Sequence, residues 1–82
     1  MREILATCNR TGKPVLYYLE EQVNEWDEYY DVVYTDESPV PIALILKIGV
    51  ESMTRTRFLI HPAGKSLRQH LFDSEEAALS TL

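Results

Sequence analysis

Hydrophobic and polar positions alternate in the C-terminal third of the chain. In TRTRFLIH, residues 54–61, Phe58 and Ile60 share one side with the threonines, whereas the arginines fall on the other side. This is the period of a half-buried strand. Pro62 and Gly64 then favour a turn, and SLRQHLF alternates again. We therefore predict an antiparallel hairpin with arms at about 54–61 and 66–72.

A helix is predicted after this hairpin, at about 74–82. Asp73 is placed to accept from the exposed N–H groups of a first helical turn, and Glu76 follows three residues later, as in a capping box. Ala78, Leu79 and Leu82 would then face the sheet.

The N-terminal half allows two interpretations. Apolar residues recur at spacings of three and four, which predicts a helix near 15–28 that begins close to Pro14. These residues are Leu16, Leu19, Val23, Trp26, Tyr30 and Val33. The many tyrosines and valines favour the alternative, a hairpin that pairs VLYYLE (15–20) with YYDVVYT (29–35) around an acidic turn. Residues 39–50 are likewise either a buried helix or a central strand.

Length and composition indicate one folded unit. The chain has 82 residues, of which 45% are hydrophobic and 26% charged, values typical of a globular domain rather than a disordered segment. We predict a single small α+β domain over residues 1–82, in which a small antiparallel sheet carries the C-terminal helix.

The remaining bulk features favour a cytoplasmic protein. Cys8 is the only cysteine, which excludes an intrachain disulfide and a cysteine-based zinc site. The N-terminus does not resemble a secretory signal. The longest apolar stretch is interrupted by Lys47 and is far shorter than the roughly 20 residues that span a bilayer. We therefore expect no membrane partner.

Charge is unevenly distributed along the chain. The net charge is -5, and the segment EEQVNEWDEYYDVVYTDE (20–37) holds eight carboxylates, no lysine or arginine, and four aromatic residues. Aromatic anchors with an acidic rim suit a protein-binding surface. In this acidic-aromatic strip we predict that the anchors are Trp26, Tyr29 and Tyr30. The acidic rim that steers the partner would consist of Glu25, Asp27, Glu28 and Asp31. The alternative is a helix whose aromatic residues face its own core.

A second candidate surface is basic. Between residues 52 and 72 the chain carries four bases and no acid, and guanidinium groups on one strand face could contact phosphates. This basic set comprises Arg55, Arg57, Lys65 and Arg68. The competing interpretation is that these side chains pair with acids of the protein itself, as the acidic total charge suggests.

No catalytic or cofactor motif is present. His61 and His70 are expected to diverge along the hairpin, and RTGK (10–13) lacks the glycine spacing of a phosphate loop. We therefore expect no cofactor, no metal and no enzymatic activity. The sequence favours a protein–protein interaction module or small regulator. The alternatives are a nucleic-acid-binding module and a homo-oligomer, such as a homodimer that joins the acidic-aromatic strip to the basic set of a second copy.

Overall fold

The computed structural model describes residues 1–49 and 55–82. In these ranges the chain forms five antiparallel strands and one short helix, in the order β1 (Arg2–Thr7), β2 (Pro14–Val23), β3 (Tyr29–Tyr34), β4 (Ala43–Ile48), β5 (Arg57–Pro62) and α1 (Glu75–Leu79). Neighbouring strands in the chain are neighbours in the sheet, which is curled into a half-barrel. The prediction of a small sheet-dominated fold with a C-terminal helix is confirmed in this form.

The predicted helix near 15–28 is wrong, because this region is the hairpin of β2 and β3. Burial along β2 has a period of two: Tyr17 and Leu19 are buried, whereas Leu16 is exposed. Leu19 lies opposite Val33, and both side chains are removed from solvent. The alternative pairing of VLYYLE with YYDVVYT is therefore confirmed.

The segment that follows β3 is also a strand. β4 lies between β3 and β5, with Ala43 and Ile45 buried and Leu44 and Leu46 half-buried on the opposite face. Apolar residues on both faces suit a central strand. The strand interpretation of residues 39–50 is thus correct for 43–48, and the helical one is wrong; residue 50 lies outside the described residues.

The predicted C-terminal hairpin is half correct. β5 confirms the first arm over residues 57–61, and Thr54 lies outside the described residues. The second arm, 66–72, is not a strand: Phe72 forms a single bridge with Phe58, with N–O distances of 2.8 and 2.9 Å. The Arg68 amide also donates to the Ile60 carbonyl at 3.3 Å, and Arg68 Nη1 donates to the Thr81 carbonyl at 2.9 Å, so the segment contacts both β5 and the C-terminus.

Helix α1 (Glu75–Leu79) is shorter than the predicted helix at 74–82 and begins one residue later than the capping pattern indicates. Ser74 is the N-cap, and its hydroxyl accepts from the Ala77 amide at 3.1 Å. Asp73 does not cap the helix but forms an ion pair with Arg55. The predicted capping box is therefore wrong, although the two glutamates of the first turn remain favourably placed at the positive end of the helix.

The core lies on the inner face of the curled sheet, beneath α1. The helix contacts both edge strands, β1 and β5, and so closes the open side of the half-barrel. Ala78 and Leu79 are fully buried, as predicted, and Leu82 packs against the same cluster. The sheet contributes Ala6, Tyr17, Leu19, Val33, Ala43, Ile45 and Ile60. In the described ranges, no helix has the length and apolar character needed to cross a membrane.

Candidate functional site

A cluster of five charged residues occupies one end of the inner face. Each residue comes from a different element, so the cluster joins all but one of the strands to the helix. Its members are Arg2 on β1, Glu21 on β2, Asp31 on β3, Lys47 on β4 and Glu75 on α1.

Asp31 is the centre of this charged cluster. Its side chain is fully buried, and its Oδ2 accepts from Arg2 Nη2 at 2.8 Å. The other oxygen, Oδ1, has no hydrogen bond but lies 3.4 Å from Lys47 Nζ. Arg2 also donates to Glu75 at 2.8 and 3.0 Å, and Lys47 donates to Glu21. Each cation is therefore shared between two carboxylates.

The environment shifts the pKa values of Asp31 and Glu75 in opposite directions. Burial, together with the neighbouring Glu75, raises the pKa of Asp31 to about 6 in spite of the two cations. Burial also acts to raise the pKa of Glu75, but its interaction with Asp31 and the hydrogen bonds from Arg2 outweigh burial and lower that pKa overall. Hydrogen bonding to Glu75 raises the pKa of Arg2, which therefore stays charged. Asp31 is thus the group of the pair that takes up a proton first.

An open cleft of about 480 Å³ adjoins this cluster. Tyr29 and Phe58 supply aromatic surface to this cleft, and Thr56 also lines it. Its charged lining residues, Glu21, Lys47 and Glu75, already pair with one another or with Arg2. Since the chain itself supplies all of these partners, the ion pairs of the charged cluster hold strands β1 to β4 and helix α1 together. In the described part of the chain, no group of histidine, cysteine and carboxylate ligands is arranged to hold a metal ion.

The most exposed aromatic residue is Trp26, in the turn that joins β2 to β3. This residue is 72% exposed. Asn24 shapes this turn: its Oδ1 accepts from the amides of Trp26 and Glu28 at 2.9 and 3.0 Å, and its Nδ2 donates to the Glu28 carboxylate at 2.9 Å. Asp27 adopts a left-handed backbone conformation, with φ of 58°, which aspartate tolerates better than most residues. The turn is therefore ordered by its own hydrogen bonds, and it presents an apolar side chain to solvent.

The structure divides the acidic-aromatic strip among three places. Glu25, Asp27 and Glu28 are exposed beside Trp26 in the turn. Tyr29 lines the inner cleft, whereas its neighbour Tyr30 lies on the outer face of the sheet opposite Leu46. Asp31 is buried in the charged cluster and cannot belong to an exposed rim, because its side chain has no contact with solvent. Trp26 and the three turn acids thus remain together.

The basic set is dispersed, and most of its charges have partners. Arg55 pairs with Asp73 at 2.9 Å, and Arg57 approaches the same carboxylate at 4.0 Å. Arg68 is half-buried and donates to a backbone carbonyl, as described above, and Lys65 is exposed in the turn after β5. Pairing with acids of the protein itself, the competing interpretation of these residues, therefore holds for Arg55 and, at the limit of an ion pair, for Arg57.

The histidines and the cysteine are also placed separately. His61 Nε2 lies 2.9 Å from the Lys65 carbonyl, and the ring of His70 meets Phe72 edge-on at 4.5 Å between centroids. The two histidines therefore serve different local contacts. Cys8 is buried, and its Sγ lies 3.6 Å from the Leu82 carbonyl. Hydrogen bonds at Thr11 and Arg10 lower the pKa of Cys8 to about 7.

One further surface was not identified from the sequence. The outer face of the sheet carries large apolar side chains on adjacent strands, which we name the outer stripe: Tyr30, Val32, Leu44, Leu46 and Leu59. All five are only half-buried. The signal for it in the sequence is the run of apolar residues in β4, which places leucines on the face opposite Ala43 and Ile45.

Comparison with known proteins gives no relative from which a function could be transferred: no family model, no curated protein and no solved structure matches the chain.

Proposed function

We propose that this chain is a non-enzymatic protein-binding module whose anchor is Trp26. The observation that supports this proposal is that Trp26 is 72% exposed on a turn that Asn24 fixes by hydrogen bonds. Tryptophan is enriched among the residues that dominate binding energy. A turn that is already ordered loses less conformational entropy on binding, which favours affinity.

The charges beside Trp26 indicate the chemistry of the partner. Glu25, Asp27 and Glu28 are exposed around the indole. Such a rim favours a basic surface that surrounds an apolar pocket, since complementary charge speeds encounter and disfavours acidic partners. The proposed site is therefore smaller than the strip predicted from the sequence, because it leaves out Asp31 and the two tyrosines.

Affinity capture from a native lysate tests this proposal. The tagged chain is compared with Trp26→Ala and with a triple variant in which Glu25, Asp27 and Glu28 become lysine. The control for the first is Val40→Ala, which removes another apolar side chain that is 60% exposed. The control for the second replaces the exposed Glu3, Glu37 and Glu76 by lysine.

We expect a protein that resists nuclease treatment, is lost with either turn variant and is retained by both controls. Binding of the purified partner should then shift the emission of Trp26, the only tryptophan of the chain, to shorter wavelength. Capture that survives both turn variants would contradict the proposal. Material that disappears on nuclease treatment and also requires Arg57 would instead favour nucleic-acid binding.

A further inference from the structure

The outer stripe is an apolar surface in the middle of the outer sheet face. Val32 lies opposite Leu44, and Leu46 lies between Tyr30 and Leu59 across three strands. Neighbouring Ile48 is 44% exposed on the same face. Helix α1 packs on the inner face, and no other element of the described residues packs over the outer stripe. Contiguous apolar surface of this kind is a mark of an interaction site.

Charge flanks the outer stripe with opposite sign on its two sides. On the β2 side lies Glu20, opposite Val32, and Glu28 comes just before β3, where its carboxylate accepts from Asn24 Nδ2 at 2.9 Å. On the β5 side lies Arg57, which is opposite Ile48 and has a side chain 49% exposed. Its approach to Asp73, at 4.0 Å, is at the limit of an ion pair. The face therefore has an acidic margin, an apolar centre and a basic margin.

This order of margins is self-complementary under one symmetry operation. Consider two sheets stacked face to face, with a two-fold axis between them that runs parallel to β4. This axis places β4 of one copy directly over β4 of the other. The same operation places β5 of one copy over β3 of the other and keeps the position along the strands. Arg57 begins β5 at the end of the sheet where Glu28 precedes β3. The basic margin of each copy thus faces the acidic margin of its partner.

We propose that the outer stripe is the interface of a two-fold homodimer in which two sheets stack face to face along β4. A two-fold interface uses the same patch twice, so one self-complementary surface is sufficient. Leu44 and Leu46 meet their own copies at the centre, and Arg57 of each chain meets the acidic end of β3 in the other. The proposal does not depend on the function proposed for Trp26.

Sedimentation equilibrium over a range of protein concentrations tests the dimer. Leu46→Glu places a charge at the centre of the interface, and Leu16→Glu is the matched control, on the same face but outside the outer stripe. We expect the native chain and the control to dimerise. Leu46→Glu should raise the dimer Kd by roughly 30-fold or more, as expected for a central contact residue.

Cross-linking of cysteine variants tests the position of the two-fold axis without introducing a charge. In a Cys8→Ser background, Leu44→Cys should react with a short bis-maleimide to give covalent dimers, whereas Leu16→Cys should not. A chain that remains monomeric up to about 1 mM, a dimer that survives Leu46→Glu, or equal cross-linking at both positions would overturn the proposal. Trp26 lies outside the outer stripe, so loss of capture with Trp26→Ala tests the first proposal alone, and the two proposals can fail separately.

Discussion

Replacing Asp31 by asparagine removes the charge at the centre of the charged cluster but keeps the shape of the side chain. Asp31 is fully buried, and its carboxylate is shared between Arg2 and Lys47. Intuition predicts that loss of such a carboxylate destabilises the fold. The raised pKa of Asp31 argues otherwise, since it means that the folded protein favours the neutral form of this group.

The magnitude follows from proton linkage. The pKa of Asp31 rises from its ordinary value of 3.8 to about 6 in the fold, so between these values the folded state binds the proton and the unfolded state does not. Stability therefore decreases as pH increases through this window. At 1.36 kcal/mol per unit, the full window corresponds to about 3 kcal/mol, and the interval from pH 4.5 to 7 to about 2 kcal/mol. The lowered pKa of Glu75 has the opposite sign, with its stability lost as pH falls, and reduces the net change.

Urea unfolding of the native chain and of Asp31→Asn, at pH 4.5 and at pH 7, measures the pH-dependent contribution of Asp31 to stability. We expect Asp31→Asn to gain about 2 kcal/mol relative to the native chain between the two pH values. The exposed Glu37→Gln is the control and should show no such change. If Asp31→Asn is instead less stable at pH 7 by more than about 2 kcal/mol, the carboxylate is held ionised by its two cations and the reasoning is wrong.

Three further predictions concern the core, the helix cap and the turn. Leu79→Ala should lower the free energy of unfolding by about 2–5 kcal/mol in urea titrations, because Leu79 is fully buried. Ser74→Ala should cost about 1 kcal/mol by the same measurement, and Asp73→Ala should cost less, since Ser74 caps α1. Trp26 fluorescence should be quenched efficiently by acrylamide; Asn24→Ala should leave that quenching high but weaken partner capture, because the turn is no longer pre-ordered.

The C-terminal part of the fold could be predicted because its pattern is local. Phe58 and Ile60 face the core, and Arg57 and Leu59 face outward, as strict alternation requires. Ala78 and Leu79 likewise occupy the buried side of α1. The second arm of the predicted hairpin was wrong as a strand: β5 pairs along its length with β4, and residues 66–72 meet its other edge at Phe72 and through the Arg68 amide.

The hairpin of β2 and β3 was obscured by charged residues that face inward. Glu21 and Asp31 lie opposite each other, at positions where alternation would require apolar side chains. They are tolerated there because Lys47 and Arg2 lie on neighbouring elements that are distant in sequence. No local pattern shows such a neutralisation. Spacings of three and four among the apolar residues then favoured a helix by coincidence.

The acidic density of residues 20–37 therefore has two separate physical causes. Asp31 and Glu21 belong to the charged cluster, where they hold strands to each other and to α1. Asp36 accepts from the Tyr18 hydroxyl at 3.2 Å. The acids that remain beside Trp26 include Glu25 and Asp27, which are exposed on a turn whose backbone is fixed by Asn24 and not by these side chains. Since structural roles account for the first group and not for the second, the turn is the part of the strip where a binding function best explains why acid and aromatic residues occur together.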